Sequence, residues 1–130
     1  MKAAPTRSGI TPSRSMYEDT RKSQEEIDDK LASDSLMDQQ TLNRTAQDEF
    51  EMWDILLNKI WAYLKGDLEE DKMKALTDEE NAWIREKQAS VETATAGFEG
   101  GSMQPMIQYG TEADITHKRV TYLVENYLCE

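Results

Sequence analysis

The chain has 130 residues, a formal charge of −11, a pI near 4.5 and 38% hydrophobic residues. That length holds one domain with some tail, and so acidic a surface repels nucleic acid and anionic membrane alike. No apolar run approaches the ~20 residues that a bilayer-crossing helix needs.

The opening MKAAPTRSGITPSRS carries basic residues but no apolar stretch of the kind a signal peptide has. Two expectations follow: a cytoplasmic chain starting at Met1, or a mature region whose signal has been removed. Residues 1–22 balance at +3, which leaves −14 on residues 23–130. The first segment is rich in Ser, Thr, Pro and Ala, so it buries too little to offset its ordering entropy. A disordered arm is predicted there, with poor order extending to residue 35.

A single domain is expected over residues 36–130. Ala46, Phe50, Trp53, Leu57, Ile60 and Leu64 recur at alternating steps of four and three, one stripe of a helix over about 36–66. Gly66 stands where a C-terminal cap would. A second helix fits 68–96, with a thinner face of Met73, Leu76, Trp83, Ile84, Val91 and Ala94. Thr77-Asp78-Glu79-Glu80 resembles a capping box, so this helix restarts or kinks near 77 in one reading.

Four of the six glycines (Gly97, Gly100, Gly101, Gly110) fall between 97 and 110. The stretch Phe98-Glu99-Gly100-Gly101-Ser102-Met103-Gln104-Pro105-Met106 is either a tight interhelical turn or a presented recognition loop. Ser102 is the expected N-cap of a third helix over 102–129, with Pro105 third in the helix, where no intrahelical N–H is required. Met106, Gly110, Ala113, His117, Val120, Val124 and Tyr127 continue one face. Gly110 there predicts a close helix approach or a bend. The architecture expected is all-α: an antiparallel bundle of three long helices, or four if the second breaks near 77.

The chain offers little for catalysis. It has one histidine, no cysteine paired with a base, and no phosphate-cradling glycine loop. Glu69-Glu70-Asp71 and Asp78-Glu79-Glu80 read as solvated helix ends. Glu-x-x-His spacing is absent, so no metal and no cofactor is expected. His117 reads as a hydrogen-bonded core histidine, and Trp53, Trp61 and Trp83 as core residues. Cys129, the single cysteine, excludes an internal disulfide and reads as a free terminal thiol.

An ordered set of residues carries a likeness to a known family. Asn43, Phe50, Asp54, Leu57, Asn58, Trp61 and Leu64, then Trp83-Ile84, then Glu99-Gly100-Gly101-Ser102 with Thr116 and Arg119, resemble the LprI-type lysozyme-inhibitor domain from about 39 to 128. The resemblance implies a small, helical, exported bacterial protein that binds lysozyme and is not an enzyme. Asn43, Asp54, Asn58, Trp61, Trp83, Thr116 and Arg119 are its motif positions here. Thr45, Val91 and Thr111 stand where members often carry cysteines, so the family's disulfide is missing. Glu86-Lys87-Gln88 replaces the family's Phe-Arg-Asp, which leaves Glu80 as the substitute partner for Arg119. The expected partner is a basic lysozyme-type muramidase, contacted through Phe98–Met106 and drawn by the acidic body. A structural or adaptor bundle of the envelope or cytosol is the competing reading.

Overall fold

The computed structural model describes residues 14–33 and 37–128. Among them the chain forms four α-helices and no strand: α1 Arg14–Ser33, α2 Gln39–Asp67, α3 Glu70–Thr95 and α4 Gln104–Tyr127.

α2 starts where Asp38, in extended conformation, accepts a 2.7 Å hydrogen bond from the Thr41 amide. Hydrogen bonds from Thr41 hold the Asp38 carboxylate below its ordinary range. The predicted stripe then faces inward. Ala46, Trp53, Leu57, Ile60 and Leu64 are buried, Phe50 is half-buried, and Leu56 joins them. Their main partner is α4, through Val120, Leu123 and Val124, with Leu76 of α3 completing the core. α2 and α4 ascend together. Asn43 meets Ser102 and Met106, Phe50 meets Tyr109 at 6.0 Å, and Trp53 stacks on His117 at 4.0 Å.

Helix boundaries fall within about three residues of those predicted, but several local devices differ. Gly66 lies inside the last turn of α2, and Leu68 is the cap, donating its N–H to the Leu64 carbonyl. α3 runs unbroken through Thr77, whose hydroxyl bonds back to the Met73 carbonyl rather than starting a new helix. The fourth helix therefore comes from the N-terminal segment. Ile84 is exposed, so the inward face of α3 is thinner still. Gly110 has open space where a Cβ would stand, so no helix approaches it closely.

The largest correction concerns α1. Residues 14–33, expected to be disordered arm, form a helix that packs on α2 and α4. The rest of the predicted arm, 1–13 and 34–35, lies outside the described residues. No side chain of α1 is fully buried. Its half-buried positions Tyr17, Thr20, Gln24, Ile27 and Leu31 nevertheless recur at steps of three and four. Tyr17 Oη and Thr121 Oγ1 share a 2.9 Å hydrogen bond, and the Trp53 indole N–H donates to Gln24. The inward side also carries Met16, which packs with Tyr17 against the core, so the helix is amphipathic, and its many charged residues keep the segment's mean hydropathy low.

Candidate functional site

The segment between α3 and α4 folds as a series of tight turns. α3 ends at Ala96, after which Gly97 takes φ +89° and the Phe98 N–H reaches back to the Thr95 carbonyl at 2.9 Å. Gly100 follows at φ +79°, and the Gly101 N–H closes on the Phe98 carbonyl at 3.0 Å. Of the adjacent glycine pair, Gly100 supplies the left-handed backbone that a Cβ disfavours. Two side chains tie the turn to itself: Glu99 accepts from the Gly97 N–H and Gln104 from the Gly100 N–H, each at 2.9 Å.

A clamp from α2 fixes this segment in space. Asn43 donates to the Ser102 carbonyl at 2.9 Å and accepts from the Met106 N–H at 3.1 Å. Gln39 orients Asn43 with a 2.8 Å bond and also reaches the Met106 sulfur at 3.6 Å. One amide thus satisfies a loop carbonyl and an orphan N–H in the first turn of α4. Ser102 is not the N-cap. Met103 occupies that position in right-handed conformation with no side-chain cap bond, and Pro105 is second in the helix. Because Asn43 takes the Met106 amide, the α4 start offers less for an acidic group than free amides would. Phe98 and Met103 are exposed, at 41% and 42%, beside a shallow depression of about 250 Å³ formed with Gly97, Glu99, Gly101 and Ser102.

The remaining motif residues sort elsewhere. Asp54 and Asn58 pair weakly along exposed α2 at 3.5 Å, and Trp61 packs half-buried on the core. Trp83 and Arg119 meet at the α3–α4 seam, and Thr116 is buried one turn before Arg119 on α4. Arg119 is only 7% exposed and donates from Nε to Glu80 at 2.8 Å and from Nη1 to Glu79 at 2.9 Å. Its guanidinium also lies 5.7 Å from the Trp83 ring and 5.1 Å from that of Tyr122. Burial pushes the Glu80 carboxyl above its ordinary range, and Arg119 opposes that rise. Arg119 Nη2 and the Thr116 hydroxyl, one turn apart on α4, are buried without a hydrogen-bond partner. Across this seam the ion pairs of Arg119 with Glu79 and Glu80 link α4 to α3.

His117 is half-buried and stacked between α1 and α2 rather than enclosed in the core, with its ring nearly parallel to Trp53 and 6.1 Å from Tyr17. Burial lowers its pKa. Among the described residues no group of three or more acidic, histidine or cysteine side chains is arranged to hold a metal. No helix of the described residues is long and apolar enough to cross a membrane. The roles of Gln39, Glu79, Gln104 and Tyr122 had no sequence signal, since each depends on which helix ends meet.

No curated protein and no solved structure matches the chain. A family model does, that of lysozyme inhibitor LprI, and it aligns with residues 17–123, from the first turn of α1 to the last turns of α4. With most of its length matched, including the Asn43 clamp, the glycine turn and the Arg119 seam, the chain belongs to the LprI lysozyme-inhibitor family.

Proposed function

We propose that this protein binds and inhibits a lysozyme or related peptidoglycan-cleaving enzyme, without catalysing a reaction, and that Phe98–Met106 is the contact segment. The observation that supports this best is a pair of exposed apolar side chains, Phe98 and Met103, on a backbone pinned by Asn43. A tip ordered before encounter loses less conformational entropy on binding, and apolar anchors beside polar groups suit a concave partner. Charge supports the same reading, because residues 23–130 carry −14 and steer a basic muramidase toward them. The acidic surface disfavours nucleic acid as a partner.

Consecutive helices alternate in direction in this reading, as an antiparallel bundle, so that α2 and α4 run the same way and bring the Asn43 clamp to the α3–α4 turn. The bundle works as one domain. Its place is outside the cytoplasm, at the cell envelope, where family members meet their targets.

The test is a cell-wall lysis assay in which the purified protein is titrated against several lysozyme classes. The informative variant is Phe98→Ala with Met103→Ala. Gln104 is left intact because it holds the Gly100 amide. The double variant should lose inhibition while keeping its helical signal and melting temperature. Association of the wild type should slow as salt rises, since the Debye length falls from about 30 Å at 0.01 M to about 8 Å at 0.15 M. Full inhibition by the double variant would remove this segment as the contact. Failure to bind any lysozyme would overturn the inhibitor reading in favour of a structural adaptor.

A further inference from the structure

We propose that the protein forms a twofold dimer through the groove between α1 and α2, with a second copy of this chain as the occupant. Ile55, at 56%, is the most exposed large apolar side chain among the described residues. Met52, Ile55, Leu56 and Lys59 follow one another on α2 at the spacing that shares a helix face. Met16, Asp19 and Thr20 do the same on α1, and a groove of about 270 Å³ lies between the two sets. Met16 and Met52 pack inward on the core, Leu56 is buried, and Ile55 stands out at the rim. The groove is thus apolar along its middle and open to solvent.

Charge selects the occupant. On a chain of −11, most of the surface repels a second copy. Around this groove the charges cancel. Residues 14–24 hold three basic and two acidic side chains, and residues 51–63 hold one basic and two acidic. The excess negative charge therefore falls on the rest of the chain. A basic partner gains little from so neutral a face, whereas a second copy meets no net local repulsion there.

The two charges that line the groove are of opposite sign, one on each wall. Asp19 on α1 and Lys59 on α2 are both exposed, and neither makes an ion pair among the described residues. An isologous interface needs a patch that is complementary to itself. A twofold axis through the groove sets Asp19 of each copy against Lys59 of the other and closes the apolar walls over the two Ile55 side chains. The patch is a few helical turns in extent, so a reversible dimer with micromolar affinity is expected. α2 rises 1.5 Å per residue, which puts Ile55 about 18 Å along the helix from Asn43. Dimerisation through the groove therefore leaves Phe98–Met106 open on both copies, and it holds whatever that segment binds.

Analytical ultracentrifugation of the full chain across the micromolar range reads this directly and should show a monomer–dimer equilibrium. Ile55→Gln keeps the net charge and a good helix former but removes the apolar centre. It should weaken dimerisation about tenfold while leaving the helical signal unchanged. Asp19→Lys sets like charges against each other and should weaken association too. Adding Lys59→Asp to that variant restores the pairing with its signs exchanged, and association should recover. A monomer at every concentration would overturn the proposal. So would a dimer that Ile55→Gln leaves intact, since the interface would then lie on another face. No recovery in the charge-exchanged double variant would overturn the twofold pairing. Dimerisation seen only after removal of residues 1–13 would assign the groove to the chain's own N-terminal segment and overturn the proposal as well.

Discussion

Trp53→Ala removes the side chain on which three helices converge. Trp53 is fully buried, stacks on His117 at 4.0 Å, meets Tyr17 at 5.8 Å and bonds Gln24 through its indole N–H. Truncating a buried tryptophan costs roughly 3–5 kcal/mol, and the lost aromatic pairs lie within that range here because His117 and Tyr17 can relax into solvent. About 4 kcal/mol is a large share of the 5–15 kcal/mol expected for a domain. Unfolding entropy near 2.1 cal/mol/K per residue gives about 0.27 kcal/mol/K for this length, so the melting temperature should fall by about 15 °C. Denaturant titration followed by far-ultraviolet circular dichroism, with thermal scans alongside, measures both quantities. Trp53→Phe, which keeps a ring against His117, should lose less than half as much. A midpoint moved by less than 1 kcal/mol in Trp53→Ala would mean that the α1–α2–α4 junction is not the heart of the core, and the reasoning would fail.

Three further outcomes follow from the seam and from the glycines. Arg119→Met strands Glu80 without its cation and should destabilise by about 3–5 kcal/mol, whereas adding Glu80→Leu should recover much of that loss in the same unfolding assay; no recovery would show that the guanidinium acts through packing on Trp83 and Tyr122 instead. Gly110→Ala should stabilise the protein by up to about 1 kcal/mol, since its Cβ meets nothing and helix propensity improves. Gly100→Ala, at φ +79°, should destabilise by about 1 kcal/mol, and thermal melts that ranked the two variants the other way would contradict the turn geometry.

Long apolar stripes were legible from the sequence. The α2 register, the three long helices and the turn at 97–103 follow from residues that repeat at helical spacing or break it with glycine. Polar packing was not legible. α1 docks through Met16 and Tyr17, which pack on the core, and through Gln24, against both α2 and α4, but the many charged residues around them hide that face in the sequence. Arg119 and Thr116 sit in the interior of α4 where periodicity alone would place apolar side chains, and only the family resemblance singled them out. Ser102 failed as a cap for a related reason. Asn43, some sixty residues earlier, supplies the bonds that a local cap would have made, and no local pattern encodes that.

The side-by-side ascent of α2 and α4 bears on how the chain reaches this state. Their interface is the largest in the molecule, yet the whole of α3 separates them in sequence. α3 buries little of its own surface, so a local α2–α3 hairpin has few contacts to hold it while α4 arrives. The closure that rewards folding therefore spans a long loop, and its entropy is lost before the Trp53–His117 stack and the Asn43 clamp can form. Among helical proteins of this size, the chain should be a slow folder. Its rate should respond most to substitutions where α2 meets α4, and little to changes along the outer face of α3.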